Sequence, residues 1–211
     1  MSLAEAEIGQ AQEMLRIVGE PDRLAAITEI DCAAVVWRRD VPGDFQSWIN
    51  GLGAERLPSA RLALRPEAVE DAVDQVFSAA DLDDCAERAW LRTDIAYLAS
   101  RFAAVMSMPY LRVRFSAVTT NSCRKFHVDA MKARLICTYR GSGTQFGITN
   151  GSDAPEQIRQ VETGSPILLR GSLWPERPRS GLVHRSPPIE GTGETRFLLV
   201  IDPAETIEGA L

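Results

Sequence analysis

Residues 123–140, CRKFHVDAMKARLICTYR, combine a histidine two residues before an aspartate with a compact run of apolar and β-branched residues. The second part, ARLICTYR, is typical of a buried strand. The first part contains KFHVDA, which is also strand-like, and residues at i and i+2 of an extended strand project from the same face. We therefore predict that His127 and Asp129 point inward together from one strand.

Further short strand-like segments follow Pro109 and are separated by Gly, Pro, Ser and Asn, which are typical of turns. They are LRVRFSAVTT at 111–120, TQFGIT at 144–149, SPILLRGSLW at 165–174, GLVHRS at 181–186 and TRFLLVID at 195–202. No helical pattern long enough for a crossover lies between these segments, which favours two packed sheets over βαβ units. We expect residues 111–211 to form a β-rich jelly-roll portion that bears the functional site.

Residues 1–110 have a mainly helical pattern with one early strand, DCAAVVWRRD at 31–40. Apolar residues recur at helical spacing in FQSWINGL at 45–52, in PEAVEDAVDQVF from Pro66, and from about 83 to 106. Such stripes usually pack into a core. The residues therefore predict an α+β fold with a β-sandwich or jelly-roll barrel core, N-terminal helices packed on one sheet, and a single structural domain.

The amino-acid composition disfavours several classes of protein. Of 211 residues, 45% are hydrophobic, which is enough for a sizeable core, and the net charge of -6 disfavours a nucleic-acid partner. No apolar run reaches the roughly 20 residues that span a bilayer, and the first ten residues lack the features of a signal peptide. We expect a cytoplasmic protein without a membrane partner. The cysteines are widely spaced, which predicts reduced thiols.

Histidine is scarce, since His127 and His184 are the two in the chain. A single His-x-Asp pair is a weak signal, because a core histidine bonded to a backbone carbonyl is the ordinary alternative. With His184, the chain offers two imidazoles and one carboxylate, the ligand set of the facial triad in non-haem Fe(II) oxygenases. Arg196 follows twelve residues later and could hold a carboxylate with its planar guanidinium, although a surface salt bridge is its alternative.

The order and spacing of these residues resemble the HxD...H...R signature of the Fe(II)/2-oxoglutarate-dependent dioxygenases. His184 lies 57 residues after His127, and VETGSPILLRGSLWPE is similar to the strand that precedes the second histidine in that family. The resemblance covers about residues 111–203. It implies a double-stranded β-helix, with His127, Asp129 and His184 as Fe(II) ligands. It also implies that Arg196 binds 2-oxoglutarate and that the substrate, unidentified by the sequence, is a small molecule or a protein.

One position departs from that family. Many members carry Ser or Thr two residues after the arginine, where this chain has Leu198, and Thr195, Tyr139 and Asn121 are candidates for the missing polar partner. The candidate cosubstrate or substrate contacts as a set are Asn121, Tyr139, Arg170, Trp174 and Arg185.

The chain is also similar to a bacterial family of unknown function that carries CRKFHVD and HRSPP. Some members of that family are encoded near metallochaperone-like GTPases. That resemblance implies a link to such GTPases and to metal supply.

Zinc is the alternative metal. Cys123 and Cys137, with His127 and His184, would supply two thiolates and two imidazoles to tetrahedral Zn²⁺, with Asp129 as a further candidate ligand. This set would make the chain a zinc-binding protein of metal homeostasis without oxygenase activity. The C-x3-H-x9-C spacing is not an established zinc signature. A binding protein on a metal-free barrel is a third alternative.

Overall fold

Ten strands and three α-helices form the regular structure in the computed structural model, which describes residues 14–149, 154–175 and 181–207. The strands are β1 (Leu15–Val18), β2 (Ala34–Trp37), β3 (Ala60–Leu64), β4 (Tyr110–Val118), β5 (Ala133–Arg140), β6 (Gln145–Ile148), β7 (Arg159–Gln160), β8 (Pro166–Arg170), β9 (Leu182–Arg185) and β10 (Arg196–Ala204). The helices are α1 (Gly43–Gly51), α2 (Val69–Ala79) and α3 (Ala86–Met106), and 3₁₀ helices span Pro21–Thr28, Ala54–Arg56 and Pro66–Ala68.

The strands form two sheets. The larger has seven strands in the order β1-β2-β8-β5-β10-β4-β3, in which β1 runs parallel to β2 and all other neighbours are antiparallel. The smaller sheet has three antiparallel strands in the order β7-β6-β9. β10 lies between β5 and β4, so that its residues have partners on both sides.

The inner face of the larger sheet is directed towards the smaller one. On β5 and β10 the apolar residues of this face are Ile136, Leu198 and Val200, which pack in one core with Phe146 of β6 and Leu182 of β9. Side chains alternate along a strand, so residues of the same parity share this inner face. The result is the α+β, two-sheet jelly roll predicted from the sequence.

The helices cover the outer face of the larger sheet. Leu135, Cys137 and Tyr139 of β5 alternate with the inner-face residues and pack under the helices in a second core. α3 is the longest helix; it begins after Cys85, whose sulfur accepts a hydrogen bond from Arg88 N. Each described helix is too short or too polar to cross a bilayer.

The structure differs from the sequence predictions in two places. The first 110 residues contribute β1, β2 and β3, where the sequence indicated one early strand; β3 is the short edge sequence ARLAL, whose Ala, Leu and Arg residues favour helices as much as strands. KFHVDA is not a strand, since it pairs with β9 through a single bridge at His127. The first ten residues, on which the signal-peptide prediction rests, lie outside the described residues.

Candidate metal centre

Backbone pairing brings the two histidines together. His184 lies on β9, opposite Phe146 of β6, and is buried. His127 donates from its backbone N to His184 O at 3.0 Å, and His184 N donates to His127 O at 3.0 Å. Because residues exchanging both hydrogen bonds lie directly opposite each other, the two imidazoles project side by side, with ring centroids 4.5 Å apart.

Asp129 is positioned by the segment that follows β8. Ser172 N donates to Asp129 O at 2.8 Å, and Gly171 N donates to Lys132 O at 2.9 Å. A Cβ on Gly171 would lie 2.0 Å from Met131 O and 2.8 Å from Asp129 O, so the two chain segments can approach this closely only at a glycine. The backbone, and not a continuous strand, therefore directs the Asp129 carboxylate towards the histidines.

The three side chains converge on one small space. Asp129 Oδ2 lies 3.2 Å from His184 Nε2, and Asp129 Oδ1 lies 3.7 Å from His127 Nε2. Each of the three residues offers one potential metal-ligating atom, and these three atoms lie within 4.8 Å of one another. Ligands held at about 2.1 Å from a common ion at right angles are about 3 Å apart, so small side-chain shifts would close the set around a metal.

Arg134 and Asp202 fix the position of the Asp129 carboxylate. Arg134 of β5 donates from Nη1 to Asp129 Oδ1 at 2.6 Å, and its Nε and Nη2 each lie 2.7 Å from a carboxylate oxygen of Asp202 on β10. Burial raises the pKa of the Asp129 carboxyl, but His127, His184 and Arg134 lower it by more, so this pKa lies well below its usual value. Asp129 is therefore an ionised ligand at neutral pH.

His127 presents Nε2 to the same space. Its Nδ1 lies 2.8 Å from Lys125 O, which assigns the Nδ1 proton to that hydrogen bond and leaves Nε2 as the acceptor in the neutral ring. The Asp129 carboxylate raises the pKa of His127, burial lowers it in part, and the Lys125 carbonyl raises it further. In metal-ligating histidines, a hydrogen bond from the ring nitrogen that does not bind the metal orients the imidazole.

The surroundings of Asp129 Oδ2 show whether this arrangement fits a metal ion. Asp129 Oδ2 is buried and has no hydrogen-bond partner, although His184 Nε2 is near. An unpartnered buried carboxylate oxygen is costly unless a cation satisfies it. Two imidazoles and this carboxylate therefore fit a metal with a 2-His-1-carboxylate set and open positions.

Arg196, the predicted cosubstrate ligand, is 1% exposed at the start of β10. Its Nε donates to Ser142 O at 2.6 Å, its Nη2 lies 3.4 Å from Thr138 Oγ1, and its buried Nη1 has no hydrogen-bond partner. Burial lowers the pKa of Arg196 to about 10, and Glu194 offsets this only in part. Among the described residues no carboxylate pairs with this guanidinium.

Comparison with known proteins identifies the family of this chain. Residues 19–202 match a family described as a protein of unknown function, DUF1826. The chain belongs to the DUF1826 family. No curated protein matches it significantly.

Solved structures similar to this DUF1826 chain include two dioxygenases for auxin oxidation and a member of a 2OG-Fe(II) oxygenase family. One is the complex of dioxygenase for auxin oxidation 1 from Arabidopsis thaliana with 2-oxoglutarate. Its sequence is 10% identical, the alignment covers 93% of this chain and 94% of the dioxygenase, and the TM-score is 0.51. The rice dioxygenase for auxin oxidation is 14% identical, with 89% and 81% covered and a TM-score of 0.48. A 2OG-Fe(II) oxygenase family oxidoreductase from Burkholderia pseudomallei is 12% identical, with 92% and 96% covered and a TM-score of 0.44. At 10% identity, the likeness to the Arabidopsis thaliana dioxygenase shows a shared fold.

The cysteines of the zinc alternative lie elsewhere in this DUF1826 chain. Cys137 lies on the outer face of β5, where its Sγ is 3.5 Å from Gly164 O. Cys123 is exposed in the loop before His127, and its carbonyl accepts from Ser186 N. Within the described ranges, the cluster of metal-ligating side chains comprises His127, Asp129 and His184 without either thiol. The four-ligand zinc set is therefore not assembled, because strand alternation turns Cys137 away.

Two of the candidate contacts bind within the protein. Tyr139 is fully buried on the outer face and donates from its hydroxyl to Asp94 Oδ2 at 2.6 Å. Asn121 Oδ1 accepts from Ile189 N at 2.9 Å and Glu190 N at 3.0 Å, joining two loops. The structure does not bring either to the imidazoles.

The other candidate contacts are also engaged. Arg170 donates to Ile27 O and Glu29 O, and its guanidinium lies 4.4 Å from the Trp174 ring centroid. Arg185 follows His184, donates to Gln145 Oε1 at 2.8 Å and stacks over Phe126. These contacts give each of them a role in packing.

Sequence reasoning missed Arg134, Asp202 and Thr138. The inner-face parity of ARLICTYR would have selected Arg134 and Thr138, because both alternate with the outward Leu135, Cys137 and Tyr139. Nothing in the local sequence indicates that Asp202, 68 residues away, is the partner of Arg134.

Proposed function

We propose that this chain is a non-haem Fe(II)/2-oxoglutarate-dependent dioxygenase that oxidises a small-molecule or protein substrate. The observation that carries the proposal is the convergence of His127, Asp129 and His184 around a buried carboxylate oxygen that faces His184 Nε2 and receives no well-aligned hydrogen bond. The fold it shares with dioxygenases supports the same conclusion.

His127, Asp129 and His184 would hold the iron. Bound Fe(II) would supply dioxygen activation coupled to decarboxylation of 2-oxoglutarate and oxidation of the substrate. Arg134 would keep Asp129 Oδ1 occupied, so that Oδ2 remains the ligand oxygen. Phe146, on the strand that pairs with His184, is buried and helps to exclude water from the space between the sheets.

Arg196 would bind the distal carboxylate of 2-oxoglutarate. It shares the inner parity of β10 with Leu198 and Val200, which pack between the sheets. Because Nη1 of this buried guanidinium has no partner, it can donate to a carboxylate. Such an ion pair would be stronger in the buried site than in water.

Thr138 supplies the hydroxyl that Leu198 lacks. It lies directly opposite Leu198 on the neighbouring strand, and its Oγ1 is 3.4 Å from Arg196 Nη2. The polar partner that many dioxygenases carry on the arginine strand would therefore come from β5 here, and not from Thr195, Tyr139 or Asn121.

The test is an anaerobic titration of metal-free protein with Fe(II) and then 2-oxoglutarate, monitored for the visible charge-transfer band of the chelated complex. We expect the band in the wild type and its loss in His184→Ala. Arg159→Met, which changes an exposed strand arginine of the smaller sheet, is the matched control and should keep the band.

Zinc uptake provides the competing outcome. A Cys123→Ser/Cys137→Ser double variant should keep its metal, since neither thiol lies in the cluster. Absence of the band together with tight zinc binding that this double variant loses would contradict the proposal and favour a zinc-binding protein of metal homeostasis.

A further inference from the structure

Four arginines share the inner face of the larger sheet, and one of them, Arg134, contacts Asp129. Arg114 of β4 lies opposite Arg61 of β3 and opposite Val200 of β10, an inner-face residue. Arg112 lies two residues before Arg114 and opposite Asp202, which is itself bonded to Arg134. Strand alternation therefore places Arg61, Arg112, Arg114 and Arg134 on one surface, which we call the arginine face.

The arginine face has too few acids for its cations. Asp129 and Asp202 are both bonded to Arg134. Arg112 and Arg114 make no hydrogen bond or ion pair with a described residue, and the Nε atom of each is buried without a partner. Two half-buried guanidinium groups thus lie side by side without a direct ion-pair partner among the described residues, in a chain whose net charge is -6.

Two other buried arginines in the described part of the chain are paired with acids. Arg39 forms a bidentate ion pair with Asp94, and Arg88 pairs with Asp74. Burying a cation without such partners is costly, so an unpartnered pair is uncommon unless a ligand completes it. Burial lowers the pKa of Arg114, and Arg134 and Arg61 lower it further while Asp202 opposes them, which is the behaviour of a cation crowded by like charge.

Packing does not explain these two positions. The alternate residues of β4, Leu111, Val113 and Phe115, are buried under the helices and fix the strand in the sheet. The inner positions need no charge for that purpose. A guanidinium is instead the group that matches a planar carboxylate or a phosphate with paired N–H donors.

We propose that Arg112 and Arg114 form a subsite for an anionic group, a carboxylate or a phosphate, on the substrate of this chain. The assignment as a substrate subsite rests on the proposed dioxygenase function. 2-Oxoglutarate does not fill it, because its distal carboxylate is assigned to Arg196. The substrate is accordingly an anionic molecule, or an anionic side chain of a protein.

The sheet geometry bounds the size of that substrate. β4 and β5 are separated by β10, and neighbouring strands are about 4.8 Å apart, so Arg112 lies about 10 Å from the backbone of Arg134. Arg134 in turn contacts the metal ligand Asp129. The anionic group would therefore bind two strands away from Arg134, so the substrate must extend over several bonds between this group and its oxidised atom.

The test uses the full metal-free chain and inorganic phosphate, titrated by calorimetry, with acetate in a parallel titration. We expect saturable binding of at least one anion and an affinity about 10-fold or more weaker in Arg112→Gln and in Arg114→Gln, since each removes a charge-assisted contact. Arg159→Gln, on an exposed strand, should bind as the wild type does. Tighter phosphate than acetate binding would identify a phosphorylated substrate, and the reverse order a carboxylate.

Two results would overturn the subsite. The first is absence of saturable binding of both anions, or equal affinity in the wild type and in a folded Arg112→Gln/Arg114→Gln protein. The second is competition between the anion and 2-oxoglutarate in Mn(II)-loaded protein, which would assign these arginines to the cosubstrate.

Proximity to the metal gives a separate readout. With Mn(II) and 2-oxoglutarate bound, the ³¹P relaxation rate of phosphate should rise, because the subsite and the metal cluster share the inner face of the sheet, and this enhancement should vanish in Arg114→Gln. Because anion binding is measured without metal, failure of the iron titration alone would contradict the proposed dioxygenase and leave the anion site standing.

Discussion

Arg134 donates from Nη1 to Asp129 Oδ1 at 2.6 Å, and this contact leaves Asp129 Oδ2 as the oxygen that is directed at His184. The guanidinium is itself fixed by two contacts of 2.7 Å to Asp202 on β10. The central strand of the sheet thus orients a candidate metal ligand that lies in a loop.

Replacing Arg134 should weaken metal binding without removing a ligand. In Arg134→Lys a single ammonium cannot bond both Asp129 and Asp202 in the planar fork geometry, so Asp129 gains freedom to rotate. We expect Mn(II) affinity, measured by electron paramagnetic resonance of metal-free protein, to fall about 10- to 100-fold.

Arg140→Lys is the matched control for that experiment. Arg140 lies on the same strand and donates to Ile49 O and Leu52 O, away from the metal cluster. Its variant should retain wild-type Mn(II) affinity. Equal affinities in Arg134→Lys and Arg140→Lys would show that Arg134 has only a structural role.

Individual residues show how far sequence alone predicts this site. His127, Asp129 and His184 could be selected because histidine is scarce and the chemistry of the triad is restrictive. The expected strand was wrong for Asp129, which reaches the candidate metal centre from a loop held by Gly171. Hydrogen bonds between distant segments decide such a position, and local periodicity does not report them.

The arginine face illustrates the same limit. LRVRFSAV alternates apolar and polar residues, which predicts a strand with Arg112 and Arg114 on one side. Which side faces the metal depends on pairing with β10, more than eighty residues later in the sequence. Likewise, Cys137 was a candidate ligand by spacing, and the register of β5 directs it to the opposite face.

Arg196→Met should separate stability from cosubstrate binding. The wild-type guanidinium is buried with Nη1 unpartnered, so an apolar side chain of similar length should leave the melting temperature unchanged or raised. Iron binding should persist, whereas 2-oxoglutarate should lose at least about 10-fold in affinity and should no longer raise the melting temperature. A variant that keeps wild-type 2-oxoglutarate affinity would contradict the role of Arg196.

Tyr139→Phe should lower the stability of the protein and leave its iron and 2-oxoglutarate affinities unchanged. The hydroxyl of Tyr139 bonds to Asp94, which also holds Arg39, in a network on the outer face of the sheet. Losing a hydrogen bond to a charged group should lower the free energy of unfolding by about 1.5–3 kcal/mol, measured by urea denaturation. Iron and 2-oxoglutarate affinities should be unchanged; a selective loss of 2-oxoglutarate affinity would instead place Tyr139 in the cosubstrate site.

His127 should make the stability of the metal-free protein depend on pH. The Asp129 carboxylate raises the pKa of His127 above its usual value of 6.5. Since the folded state then binds the proton more tightly than the unfolded state, the stabilisation is complete below about pH 6.5 and is lost as the pH rises through the folded-state pKa. Metal binding has the opposite dependence, because the ligand must be the neutral imidazole.

The measurement compares the free energy of unfolding of wild type and His127→Gln from about pH 5.5 to 8.5, without metal and with Mn(II). Without metal, the excess stability of the wild type should decline as the pH rises. With Mn(II) it should increase over the same range, since fewer imidazoles must lose a proton to bind. Parallel pH profiles under the two conditions would mean that His127 is not a metal ligand, because a ligand histidine must exchange its proton for the ion.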